Sequence, residues 1–360
     1  MRRWGAWIAG IGLALAGLTW IALQIPAVQD ALLRRVIARR MSTPPAALAG
    51  DDALRVLLCG TSSPMPHPSR AKACVAVFAG GRFWVVDVGD GSWNHLALWQ
   101  VDGRAIGGVL LTHFHSDHIT ELGEFNLQTW VAGRPGPLAV YGPPGVERVV
   151  AGFSEAYALD SGYRVAHHGA ALLSPEIGRM EARPIAGPAS GDGPSVVLEQ
   201  DGVRITAFAV THTPVQPAYG YRFDYRGRSV VISGDTVKDQ GLIAAAQGAD
   251  VLVHEAQANH LVGLLQAEAE RTGRQRIAKI LADIPSYHTS PVEAAEVANA
   301  AGVRLLVLYH LTPPPPAWVV ERAFVRGVAA VRPQGWVLAD DGLLVTLPAG
   351  TQDIEIGAIE

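Results

Sequence analysis

Cysteine is scarce in this chain of 360 residues: Cys59 and Cys74 are its two, and neither lies in a Cys-x-x-Cys pair or beside a histidine. That spacing excludes a zinc cluster built on paired thiolates. Both cysteines fall in apolar, strand-like runs, where a free cysteine behaves as a small core residue. A disulfide between neighbouring strands stays open, so cysteine usage does not fix the redox compartment. Positive charge is also short in the body of the chain. The first fifty residues hold six arginines, no lysine and one acid, Asp30, which leaves 23 basic and 32 acidic residues for the rest, a net of −9. An acidic body is a poor electrostatic footprint for gripping RNA or DNA backbones.

Long apolar runs are missing after the N-terminus. The stretch Trp4 to Leu23 has no charged residue and is long enough to cross a bilayer as a helix. Trp4, Trp7 and Trp20 lie near its ends, where interfacial aromatics are expected, and Arg2 and Arg3 precede it. A cleaved signal peptide is the rival reading, but no clear small-x-small site precedes Ile25-Pro26. Val28 to Met41 reads as a helix carrying Arg34, Arg35, Arg39 and Arg40, which suits an anionic lipid surface. Pro44-Pro45 and the alanine-glycine stretch to Gly50 read as a linker. The expected organisation is an anchor, basic helix and linker over residues 1–50 and one domain over 51–360. The expected location is a single-pass membrane anchor with the body outside the cytoplasm, in the periplasm.

The body is organised around Thr112-His113-Phe114-His115-Ser116-Asp117-His118, three imidazoles and a carboxylate in six residues. The apolar run Gly108 to Leu111 just before it reads as a buried strand. A chain leaving a strand in extended form points alternate residues the same way, so His113 and His115 converge on one point. Asp117 and His118 turn towards a second. Imidazole with carboxylate suits zinc or a similar first-row ion.

Strands and helices alternate through the rest. Arg55 to Cys59 is a strand, and Ala73 to Phe78 and Arg82 to Val88 form a hairpin about Gly80-Gly81. Trp93 to Val101 and Ile119 to Val131 suit helices, the second with Asp117 near its positive start. Leu138 to Tyr141 is a strand followed by a helix reaching Leu159. Asp160 to Pro194 carries no clear pattern; its Gly/Pro-rich part reads as irregular, a lid or loop, with His167-His168 as an exposed pair. Four later strands end on ligand-type residues: Val203 to Val210 at His212, Ser229 to Ser233 at Asp235, Val251 to Val253 at His254-Glu255, and Leu305 to Leu308 at His310. One edge of the sheets therefore collects histidines and carboxylates, as in an α/β body whose site lies at loop ends.

A catalytic zinc keeps three protein ligands and one open position. His113, His115 and His212 fill one such site, and Asp117, His118 and His310 a second. Asp235 has two oxygens with which to bridge them. Two metals about 3.5–4 Å apart clamp an ester through its attacking and leaving oxygens.

This set resembles the metallo-β-lactamase superfamily: the HxHxDH loop, then His212, then Gly234-Asp235-Thr236, then His310. The resemblance spans Leu54 to Pro316 and implies a four-layer αβ/βα sandwich with a binuclear site at one edge. Gly60-Thr61-Ser62-Ser63-Pro64, Gly220-Tyr221-Arg222-Phe223, His254-Glu255-Ala256 and His288-Thr289-Ser290 are similar to its ribonuclease Z and arylsulfatase-like branch. In that branch the residues matching Glu255 and His288 act in leaving-group protonation. This implies His288 as general acid oriented by Glu255, with Asp117 also in proton handling. Members that bind tRNA carry a long arm between the GYR and GDT motifs, where this chain has only Asp224 to Ser233.

The expectation is thus a membrane-anchored hydrolase with two zinc ions, manganese or iron being alternatives, acting on a phosphate or sulfate ester of a small molecule. The missing arm, the acidic body and the apolar N-terminus speak against nucleic acid, and a homodimer is left open. The alternatives are a lactonase or β-lactamase on the same fold, a ribonuclease Z-type RNA 3′-end endonuclease, and a non-catalytic metal-binding scaffold at the membrane.

Overall fold

Strand alternation sorts the apolar residues of the body onto opposite faces. In β1 (Ala53–Gly60), Leu54, Val56 and Leu58 join one buried cluster while Leu57 and Cys59 join another. Successive side chains of a strand point to opposite faces, so a strand buried on both faces sits between two layers. A computed structural model describes residues 2–42, 46–48, 50, 52–187 and 193–359. Residues Met1–Ala46 and Ala47–Glu360 form two separate compact units.

The first unit holds α1 (Arg2–Ala22) and α2 (Pro26–Ser42). The expected transmembrane helix is not supported. Among the described residues no single helix is both long and apolar enough to cross a membrane, and what remains is a pair, Ile11–Ala22 and Pro26–Ala38, meeting at 86°. The bend falls just before Pro26, which has no N–H to continue the hydrogen-bond ladder, and the helix it starts carries Asp30, Arg34 and Arg35, so the pair does not make one apolar span. The Pro44-Pro45 linker lies outside the described residues.

The second unit continues through β2 (Cys74–Ala79), β3 (Arg82–Val86), α3 (Ser92–Leu98), β4 (Ile106–Leu110), α4 (Ser116–Ile119), α5 (Leu122–Ala132), β5 (Leu138–Gly142), α6 (Val146–Ala156), α7 (Ala158–His168) and β6 (Met180–Pro184). There follow β7 (Ser195–Gln200), β8 (Val203–His212), β9 (Val215–Tyr225), β10 (Arg228–Ile232), α8 (Gln240–Ala245), β11 (Val251–Gln257), α9 (Asn259–Arg271), α10 (Gln275–Asp283), α11 (Pro291–Ala300) and β12 (Leu305–Thr312). The chain closes with α12 (Trp318–Phe324), α13 (Val328–Val331), β13 (Trp336–Leu338), β14 (Leu343–Pro348) and β15 (Glu355–Ala358).

One eight-stranded sheet runs β15-β14-β1-β2-β3-β4-β5-β6, and a seven-stranded sheet runs β13-β12-β11-β10-β9-β8-β7. The central cluster draws on both: Val56, Val77 and Val86 from the first, Tyr221, Val253 and Val307 from the second. The outer face of the first sheet packs on α3, α5 and α6 through Leu96, Phe125 and Val150. The outer face of the second packs on α8, α11 and α12 through Leu242, Val297 and Phe324. These are the four layers expected.

Two points that the sequence left open are decided by the structure. Asp160 to Pro194 contains most of α7 and all of β6, which pairs parallel with β5 from Leu138↔Met180 to Gly142↔Pro184. Its remaining Gly/Pro-rich part, 188–192, lies outside the described residues. Cys59 and Cys74 are not free thiols: they form a disulfide, with Cα atoms 5.0 Å apart. The reason is tertiary, since the antiparallel pairing of β1 with β2 brings Gly60 opposite Cys74 across a bulge.

Candidate active site

Strands β10, β11 and β12 are parallel neighbours, so their C-terminal ends fall on one edge of the second sheet. Strands β3 and β4 are likewise parallel in the first. Ligands of open α/β sheets gather at carboxyl ends of strands, and here two such edges are tied together. Tyr219 N–H donates to Thr112 O (3.0 Å), Tyr221 Oη–H to Leu111 O (2.7 Å), and Leu311 N–H to Thr61 O (2.8 Å).

The structure brings all seven expected donors into this seam. His113, His115, His212 and Asp235 place donor atoms within 4.8 Å of one another, as do Asp117, His118 and His310. A third set, Asp235, His288 and His310, overlaps both. Asp235 stands between the groups: its Oδ2 is 3.4 Å from His118 Nε2 and 3.9 Å from both His113 Nε2 and His212 Nε2, and its Oδ1 is 3.5 Å from His310 Nδ1. His310 is presented by a bulge. It is the extra residue between the pairs Glu255↔Tyr309 and Ala256↔Leu311, and its φ is 46°. Bulges near active sites re-aim a side chain in this way.

The donors fit a divalent cation. Asp117, His118, His212, Asp235 and His310 are all buried. His118 Nε2, His212 Nε2, His310 Nδ1 and Asp235 Oδ1 have no hydrogen-bond partner. Buried polar atoms left unpaired are costly, and buried carboxylates need compensating charge. Among the described residues the ion-pair partners of Asp117 and Asp235 are imidazoles, with no lysine or arginine. A metal ion would satisfy the open nitrogens and the carboxylates at once.

The electrostatics carry the same imprint. Burial and the facing imidazoles hold His113 well below its usual value, against the pull of Asp235. Burial also lowers His115 and His212. Burial works to lower His118 too, but Asp235, Asp87 and Asp117 hold it well above its usual value. Burial alone would raise Asp117, yet His118 and His310 bring it down to about 2.

Asp87 was not singled out from the sequence. It follows β3 in the left-handed region, with φ 60°, and is buried. Its Oδ2 accepts from His118 Nδ1 (2.8 Å) and from Thr112 Oγ1 (2.8 Å), and its Oδ1 accepts from Thr112 N–H (2.8 Å). A carboxylate on the far nitrogen of a metal-type histidine fixes its tautomer and ring orientation. The signal was present, since Asp87 ends an apolar strand just as Asp235 does, but its neighbour in space lies 31 positions away.

Glu255 and His288 meet as expected. Glu255 is fully buried, and its Oε1 accepts from His288 Nδ1 at 2.9 Å. Burial would lower His288, but Glu255 raises it to about 9. The His288 ring lies 5.3 Å from His212 and 5.9 Å from His310, centroid to centroid. The His167-His168 pair is exposed at the end of α7 and belongs to no donor group.

The Beta-lactamase superfamily domain matches residues 90–311. The chain belongs to this superfamily. Ribonuclease Z of Mycobacterium bovis (strain BCG / Pasteur 1173P2) is 40% identical over 263 residues, covering 72% of this chain and 86% of that protein. Ribonuclease Z of Mycolicibacterium paratuberculosis (strain ATCC BAA-968 / K-10) is 38% identical over the same length and coverage. Among solved structures, human tRNase Z, short form, aligns with TM-score 0.57 and 21% identity over 82% of this chain and 99% of that one. The metallo-β-lactamase fold protein YhfI of Bacillus subtilis gives 0.57 and 19% over the same shares. The chain is a metal-dependent hydrolase of ester bonds, with ribonuclease Z relatives. One expectation falls with this finding. Relatives named as ribonucleases at this identity overturn the choice of a small-molecule ester over nucleic acid. Net charge was the wrong discriminator, because it averages over the whole surface and does not describe the site.

Proposed function

We propose that this chain is a ribonuclease Z-type endonuclease that hydrolyses a phosphodiester in RNA, with zinc as its metal. The observation that supports the reading is the Glu255–His288 hydrogen bond of 2.9 Å beside the donor cluster, in a chain 40% identical to ribonuclease Z. Imidazole-rich donor sets with carboxylate suit zinc. His113, His115, His212 and Asp235 would hold one ion, and Asp117, His118, His310 and Asp235 the other. Ions bound there supply Lewis acidity to the phosphoryl group and activation of water.

The chain's own residues account for the proton. Glu255 Oε1 takes the Nδ1–H of His288 and also accepts from Thr236 N–H (3.2 Å) and Thr289 N–H (3.1 Å). The carboxylate so held favours the charged imidazole and leaves Nε2–H to donate to the departing oxygen. Thr289 Oγ1 donates to Thr236 O (2.5 Å), which locks this loop to the one bearing Asp235. His212 is fixed by its Nδ1 on Tyr287 O (2.9 Å). Recognition of RNA does not use an arm between β9 and β10, because Tyr225 and Arg228 pair directly across the turn Arg226-Gly227.

Zinc-loaded protein incubated at low salt with a precursor tRNA carrying a 3′ trailer tests the reading. Endonucleolytic release of the trailer is expected, lost on chelation. Steady turnover of bis(p-nitrophenyl) phosphate with the precursor tRNA left intact would rule it out.

A further inference from the structure

One cleft beside the donors is used neither by the Glu255–His288 pair nor by the buried ligand set. It encloses about 320 Å³ and is lined by Pro214 and Val215 where β8 turns into β9, by Ile280 of α10, by Ile284 and Tyr287 beyond it, and by His115. His115 is the exposed member of the first donor group, so the cleft opens where the site meets solvent. Asp283 also borders it, but its carboxylate is paired with Lys279 (2.6 Å).

Tyr287 is held in place before any ligand arrives. Its carbonyl accepts from His212 Nδ1, and its ring stands edge-on to His212, centroids 5.0 Å apart and planes at 76°. The same ring lies 4.7 Å from the ring of His288. A half-buried aromatic fixed by its neighbours loses little further freedom when a second flat ring covers it. Apolar walls around one aromatic ring suit a planar, uncharged group and not a phosphate.

We propose that this cleft is a nucleobase subsite in which Tyr287 stacks on the base of a nucleotide adjoining the scissile phosphate. The proposal rests on the RNA reading given above. The lining itself supports it: among the described residues no lysine or arginine borders the cleft, and Pro214, Val215, Ile280 and Ile284 surround the Tyr287 ring. Stacking on an aromatic ring needs no positive charge and tolerates every base.

The test uses the full, zinc-loaded chain and an RNA substrate with one abasic ribose placed in turn on each side of the cleaved bond. On one side, removal of the base is expected to lower kcat/KM by about 5- to 100-fold, chiefly through KM. Tyr287→Ala erases that difference and Tyr287→Phe keeps it. A second readout is 2-aminopurine fluorescence in an RNA whose linkage is a non-hydrolysable methylphosphonate. Quenching is expected with the unaltered chain and with Tyr287→Phe, and not with Tyr287→Ala. No abasic effect on either side, or an effect unchanged by Tyr287→Ala, overturns the subsite while RNA cleavage stands. No RNA cleavage by a chain that still hydrolyses bis(p-nitrophenyl) phosphate overturns the RNA reading and the subsite with it. If Tyr287→Ala does not fold, the abasic comparison in the unaltered chain and in Tyr287→Phe decides.

Discussion

Asp87 and His118 belong to different turns of the first sheet, yet the Asp87 carboxylate takes the Nδ1 of His118 at 2.8 Å and leaves its Nε2 facing Asp235. The same carboxylate ties down Thr112, whose Oγ1 lies 3.0 Å from His113 Nδ1. One buried acid therefore orients a nitrogen donor of each candidate metal position.

Asp87→Ala is expected to weaken zinc binding by about 10- to 100-fold, the usual cost of losing a carboxylate behind a histidine ligand. Calorimetric titration of zinc into the metal-free variant measures it, with circular dichroism as the check on folding. An affinity within about twofold of the original would show that Asp87 does not orient His118.

His288→Ala is expected to lower kcat on an RNA phosphodiester by about 10²–10⁴-fold, the range for removing a general acid. Glu255→Gln follows in the same direction. Because the two act through one hydrogen bond, the double variant should lose much less than the product of the single losses. Steady-state kinetics on the four proteins of the cycle decide this, and simple multiplicativity would separate the roles of the two residues.

His95 offers a pH-dependent contribution to stability away from the donors. Its Nδ1 lies 3.1 Å from Asp341 Oδ2, and this hydrogen bond, opposed by partial burial, raises its pKa above 6.5. A raised histidine stabilises the fold fully below its unfolded value and loses that contribution as pH climbs through the folded value. The difference in Tm between the original chain and His95→Gln should thus be largest below pH 6.5 and shrink on the alkaline side. A difference that grows with pH would contradict the assignment.

Asp250 neutralises a buried guanidinium. Arg228 is 2% exposed; its Nε and Nη2 donate to Asp250 at 3.1 and 3.0 Å, and Arg304 reaches the same carboxylate at 3.0 Å. Asp250→Ala leaves that charge buried without its partner and is expected to cost about 3–5 kcal/mol. Urea denaturation monitored by tryptophan fluorescence measures it. A loss below about 1 kcal/mol would mean that the carbonyls of Pro348 and Asp353, which Arg228 also contacts, suffice.

The chain's own pattern showed an α/β body with ligand-type residues gathered at strand ends, and the resemblance to the superfamily supplied the four layers. His113, His115, Asp117 and His118 were legible because four ligand-type residues crowd the end of one apolar strand. His212, Asp235 and His310 were legible because the same pattern recurs at later strand ends, where short apolar runs, buried on both faces in β10 and β12, read as strands. Short or half-exposed strands such as β7, β13 and β15 carry too weak an alternation to be read this way. Tertiary structure alone decided the rest. The bond between Cys59 and Cys74 follows from which strand lies beside β1. The role of Asp87 follows from a contact 31 residues long, and the cleft at Tyr287 from the meeting of the β8–β9 turn with the end of α10. The physical reason is the same in each case. Local sequence sets the period and direction of side chains, but which residues complete one another's hydrogen bonds and charge is fixed only when distant strands pack edge to edge.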